Sequence, residues 1–184
     1  DITRHGRVAV LRINRPDVRN ALDLATDLSG VVVDMVTRGA LHQPSARDAI
    51  ALIRSVPHAV GQTYTVLDAT DLYMVEAAAD GVRDVPLHPE VSVHTNHAFT
   101  RPHAITESSA TRYAAIEAAR PALQTRDDLA AALEDQTTGV CQTVGRFTPD
   151  MFSFMGILGD SVARRVWVNV SPATGGRFTE VGFA

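Results

Sequence analysis

"TYTVLDATDLYMVEAA" (63–78) holds two short runs of β-branched and aromatic residues with a polar break between them. Residues 63–69 and 73–78 each suit a pleated, half-buried strand, and Thr70 with Asp71 supply a tight turn, so the stretch predicts a β-hairpin. Just upstream, "PSARDAIALIRSVP" (44–57) predicts a helix. Ser45 can cap it, Asp48 follows three residues on as an acidic capping partner, and apolar residues recur at helical spacing until Pro57. Further back, "GVVVDMVTRGAL" (30–41) is ambiguous between strand and helix, and "RVAVLRIN" (7–14) alternates like a half-buried strand that Pro16 stops.

Downstream of the hairpin, "VSVHTNH" (91–97) predicts a third strand. Two Ala/Leu-rich helices follow as a pair, "SSATRYAAIEAARPAL" (108–123) and "TRDDLAAALEDQ" (125–136), the second capped by Thr125 with acidic residues in its first turn. Strand character returns in "SFMGILGD" (153–160) and "RRVWVNVS" (164–171), joined by a turn around Asp160 and Ser161, and "ATGGRFTEVGFA" closes loosely. Strands grouped with strands and helices with helices argue for layered α+β packing in a single domain over 1–184, not an alternating βα order.

The chain has 184 residues, 45% of them hydrophobic and 21% charged, which suits one globular domain with a sizeable core. All 17 basic residues are Arg, scattered along a chain of net charge −4, so no basic stripe gathers phosphates and nucleic acid is not an expected partner. No apolar run approaches the roughly 20 residues that cross a bilayer, and no signal-peptide layout opens the chain, so the expectation is a cytoplasmic protein without a membrane partner. The one cysteine, Cys141, cannot form an internal disulfide. "TGVCQT" places no cation or base beside it, so a buried small hydrophobe is the expected role. Neither a dinucleotide fingerprint nor a Walker loop is present, and no cofactor is expected.

From about Gly30 onward the order of segments resembles the acyl-coenzyme A:6-aminopenicillanic acid acyltransferase family, also called the C45 peptidases. The pieces that carry the resemblance are "RGALHQPSARDAIALIRSVPHAVGQTYTVLDATDLYMVE" (38–76), "HTNHAF" (94–99), "SSATRYAAI" (108–116) with its Ser-x-x-x-Arg spacing, "TTGVCQ" (137–142) and a terminal hairpin. The resemblance implies an Ntn-hydrolase αββα layered sandwich, incomplete in this chain, and chemistry on linear C–N amide bonds or acyl transfer. In that chemistry a new N-terminal Cys is the nucleophile, its α-amine takes the thiol proton, and fixed amide donors hold the tetrahedral oxyanion. The sequence opens on Asp1 and offers no N-terminal Cys, Ser or Thr, so the nucleophile is expected on a separate segment. The first 22 residues, "GRVAVLRINRPDVRNAL" (6–22) above all, resemble instead the opening of the crotonase (enoyl-CoA hydratase) family.

By this resemblance Asn96 supports the oxyanion as a catalytic residue, and Glu76, Arg112, His94 and His97 are substrate-binding candidates. Each has a plainer alternative. Asn96 can bond its own turn at a strand end, Glu76 can face solvent, and Arg112 can pair with Glu107 along its helix. His94, His97 and His103 suggest a metal, but on a strand positions 94 and 97 point to opposite faces, so none is expected. The expected substrate is a small-molecule amide or acyl donor. A second copy or a companion subunit is the expected protein partner, because an unfilled sheet edge invites strand addition. The rival function is a non-catalytic remnant or binding subunit, and the weakest is a crotonase-like enzyme of CoA thioesters.

Overall fold

The computed structural model describes residues 9–11, 29–102, 105–147, 149 and 152–182. These fall into two compact units, one within Asp1–Leu87 with Ala98–His103, the other within His88–His97 with Ala104–Ala184. Helix and sheet are mixed in both, so the α+β expectation holds. The crotonase-like opening and His103 lie outside the described residues, apart from a short strand at 9–11.

The first unit is an antiparallel sheet backed by two helices. Its strands are β1 (Ala9–Leu11), β2 (Gln62–Leu67), β3 (Leu72–Ala78) and β4 (Gly81–Asp84), in sheet order β1-β2-β3-β4. The hairpin forms where the sequence predicts it, with Thr65 opposite Met74 and Leu67 opposite Leu72. Its turn is organised by Asp68, whose Oδ1 accepts from the backbone N–H of Thr70 and of Asp71, both at 2.8 Å. The same carboxylate reaches the Ala46 N–H at 2.9 Å. One side chain therefore closes the turn and also satisfies a donor in the first turn of a helix.

That helix is α2 (Ala46–Ser55), preceded by α1 (Val33–Leu41). The ambiguous stretch at 30–41 is thus helical. Valines suit strands, yet Val33, Val36 and Ala40 fall on one helical face and find an apolar partner there, which overrides propensity. Ser45 caps α2 by accepting from Asp48 N–H, and its hydroxyl donates to Asp48 Oδ2 at 2.5 Å. Ala46, Ala49, Ile50 and Ile53 bury one face of α2 against Tyr64, Val66, Val75 and Ala77 of the sheet. Residue 30 has to be glycine, since a Cβ there would lie 2.3 Å from Ala59 N where Val31 bridges to His58.

Strand alternation then decides the other face of β3. Val75 and Ala77 belong to the helix-backed core, so Met74, Glu76 and Ala78 point the opposite way, and they are buried as well.

In the second unit α3 (Glu107–Ala119) runs into a 3₁₀ turn at Arg120–Ala122, and α4 (Arg126–Glu134) follows. Thr125 and Asp128 form a reciprocal capping box at the start of α4. The sheet is β5 (Gly156–Asp160), β6 (Arg165–Asn169) and β7 (Thr179–Val181), in that order. Three expectations change here. The main contacts of α4 are with β5 and the 3₁₀ turn at Pro172–Thr174, not with α3 as one of a helical pair. The tail is not loose, since β7 pairs with β6, Trp167 opposite Glu180.

The third change concerns residues 91–97, which form no strand. Their β-branched pattern is outweighed by hydrogen bonds that the Thr95 side chain and the Asn96 N–H make to α3, while β4, too short to signal in the sequence, takes the place beside β3.

Candidate functional site

The second unit gathers three of the expected site residues, Asn96, His97 and Arg112, into one polar network. Thr106 caps α3 by accepting from Ser109 N–H, which sets the first turns of the helix so that Ser109 and Arg112 share a face. Both are buried, as is His97. Asn96 N–H donates to Ser109 Oγ at 2.9 Å, and Thr95 Oγ1 donates to the Ser109 carbonyl at 3.2 Å. The His97 ring stands edge-on to Tyr113 with centroids 5.5 Å apart.

Arg112 orients the Asn96 side chain. Its Nη2 donates to Asn96 Oδ1 at 2.7 Å while its Nε bonds the Ser108 carbonyl at 3.1 Å. A guanidinium can only donate, so the amide oxygen must face Arg112 and the Nδ2 donors must point elsewhere. Among the described residues Nδ2 has no protein acceptor. A charged donor on the oxygen also polarises the amide, which makes Nδ2 a better donor to a developing negative charge.

Glu76 makes its contacts in the first unit. It is not solvent-facing but fully buried, and its carboxylate accepts from Phe99 N–H at 2.6 Å, Thr100 N–H at 2.9 Å and Thr100 Oγ1 at 2.5 Å. Sequence reasoning missed Arg101, which completes this arrangement. Its guanidinium is buried, bonds the carbonyls of Glu76 and Gly81 at 3.0 and 2.6 Å, and pairs with Asp80. The hydrogen bond from Arg101, with the nearby Arg83 charge adding to it, holds the Asp80 carboxyl below its usual range. Arg83 further ties the Thr100 carbonyl at 2.9 Å. These bonds fix residues 99–101 on the face of β3 away from the helices. Ser109 was missed too, since a serine near a helix start reads as an ordinary cap.

His94 is half-buried in coil, so the opposite-faces argument of a strand does not apply to it. Among the described residues no group of three or more His, Cys, Asp or Glu side chains could hold a metal ion. Cys141 is fully buried, and burial first, with the carboxylates of Glu134 and Asp135 adding to it, pushes its thiol up against the opposing bond from Ser153. It is a small core residue, not an activated nucleophile. Two grooves of the second unit, about 580 and 360 Å³, run along α4, β6 and β7 and include none of the expected site residues.

In this mixed α+β chain a buried arginine thus orients an asparagine amide. The family model for acyl-coenzyme A:6-aminopenicillanic acid acyl-transferase matches residues 6–170, and the chain belongs to that family. The match reaches back across the strand at 9–11, well upstream of Gly30. No curated protein matches the chain significantly. No helix among the described residues is long and apolar enough to cross a membrane.

Proposed function

We propose that this chain is the larger part of an Ntn-type amidohydrolase or acyltransferase, acting on a linear C–N amide or passing an acyl group to an acceptor, within an αββα layered sandwich. Family membership supports the reaction class. The observation that carries the site is the 2.7 Å bond from Arg112 to Asn96 Oδ1, which leaves Nδ2 as the oriented donor. In this reading Asn96 donates to the oxyanion that forms when the nucleophile attacks the carbonyl. Arg112 holds Asn96, His97 and His94 contact substrate, and Glu76 shapes the segment that follows Asn96 along the chain. The nucleophile of this chemistry is not among the residues assigned to the site.

The test is to isolate the native complex, identify every chain terminus by intact mass, and assay amide hydrolysis and acyl transfer. A processed end at Cys, Ser or Thr on an attached segment is expected. In that complex Asn96→Ala should lower the rate about 100-fold or more. An unchanged rate would remove Asn96 from the mechanism. One alternative is a binding subunit without its own catalysis, which a complex lacking any such processed end would support.

A further inference from the structure

Arg112 settles which way the Asn96 amide faces, but a bond to its oxygen does not by itself fix the main chain behind it. A different residue holds that main chain. Asn96 N–H donates to Ser109 Oγ at 2.9 Å, and a backbone amide has only this one proton to give. The same hydroxyl lies 2.9 Å from both Thr95 Oγ1 and His97 Nδ1. Whichever of those two its own proton serves, a hydroxyl oxygen has two lone pairs, so one stays available to Asn96. Ser109 is 1% exposed, and water has little access to replace the bond. Thr106 accepts from Ser109 N–H at 3.3 Å, which ties the serine to the start of α3. Ser109 and Arg112 stand three residues apart on one face of that helix, about 4.5 Å along its axis. A single rigid face therefore grips Asn96 at two points, its backbone N–H and its amide oxygen.

We infer that Ser109 is a positioning residue, which anchors the main chain of Asn96 so that Arg112 can aim the Nδ2 donors in one fixed direction. A donor that has to turn when charge develops loses part of its effect, whereas one held beforehand costs no reorganisation. Ser109 acts through Asn96 and needs no contact with a reacting group. What the fixed direction does for catalysis rests on the oxyanion reading of Asn96 given above, whereas the two-point clamp does not.

The experiment is nitrogen-15 NMR of the labelled full chain, read at the Asn96 backbone amide by hydrogen exchange and at the Asn96 side-chain NH₂ pair by chemical shift. The NH₂ pair is assigned by its loss in Asn96→Ala. In Ser109→Ala the Asn96 amide should exchange about tenfold faster or more, as loss of one buried hydrogen bond implies, while amides in the middle of α3 keep their rates. The NH₂ pair should move towards the shifts of a free asparagine side chain although Arg112 is intact. Ser109→Thr keeps the hydroxyl and should restore both signals. If Ser109→Ala fails to fold, Ser109→Cys, close in size but a weak acceptor, takes its place and should show the same two changes. Unchanged exchange at Asn96, faster exchange along the whole of α3, or unmoved NH₂ shifts in a folded variant overturns the inference. If Asn96→Ala slows the native complex, Ser109→Ala should lower kcat there with little change in KM, and an unaltered kcat also overturns it. An Asn96→Ala rate that stays unchanged sinks the oxyanion reading and leaves the clamp standing, since the NMR signals do not depend on it.

Discussion

Glu76 shows how much one buried charge can organise. A carboxylate with no exposed surface is tolerable only when its lone pairs are occupied, and three donors from Phe99 and Thr100 occupy them. Glu76→Gln keeps the shape but replaces one acceptor oxygen with an NH₂ aimed at N–H or O–H donors. The expected cost is about 2–3 kcal/mol, since hydrogen bonds to charged groups contribute about 1.5–3 kcal/mol each. Urea unfolding at neutral pH measures it, and a loss under about 0.5 kcal/mol would mean the clamp contributes little. From sequence the residue type at position 76 was legible as a site candidate, but its burial was not, because what covers it arrives from more than twenty residues away.

Asp68 works at the scale of whole elements, joining the β2–β3 turn to the start of α2. The N–H groups of Ala46 first, then Thr70 and Asp71, hold its carboxyl far below the usual range. A depressed folded-state pKa stabilises the fold above the unfolded value of about 3.9 and loses that contribution as pH falls through it towards the native value. Stability should therefore drop in acid below about pH 4 partly through this group. Asp68→Asn is expected to lower stability at pH 7 and to flatten that acid limb, as unfolding midpoints across pH would report. Parallel limbs in both proteins would show that Asp68 is not the group responsible. Elements with local causes were legible: the hairpin, the caps of Ser45 and Thr125, and the turn at Asp160, whose carboxylate accepts from Val162 and Ala163 N–H. The strand expected at 91–97 failed because its backbone and hydroxyls find partners on α3, which no local pattern announces.

Across the molecule the two units are stabilised differently. The first has a continuous apolar core under α1 and α2, whereas the buried residues of the second include Ser109, Arg112, Gln142 and Asn169. Asn169 donates to the Gly176 carbonyl and to Glu134, so side-chain bonds do there what apolar packing does in the first unit. Ile53 is fully buried at the centre of the first core, and Ile53→Ala should cost about 2–5 kcal/mol, read by circular dichroism during urea unfolding. Trp167, the only tryptophan, lies in the second unit and reports on it separately by fluorescence. Coincident shifts in both signals would mean that the units unfold as one, and a shift in circular dichroism alone would mean that they unfold independently.

The sequence by itself determined the hairpin, the amphipathic face of α2, and the capped starts of α2 and α4. Those features depend on neighbours within a few positions along the chain, and periodicity and capping chemistry express such neighbours directly. The tertiary structure alone decided that 30–41 is helical, that 91–97 is not a strand, and that Glu76 is buried. It also placed Arg112 on the Asn96 amide and Ser109 beside His97. Each of these is settled by a hydrogen bond or an apolar contact between residues distant in sequence, and the free energy of such a contact depends on a partner that the local pattern does not contain.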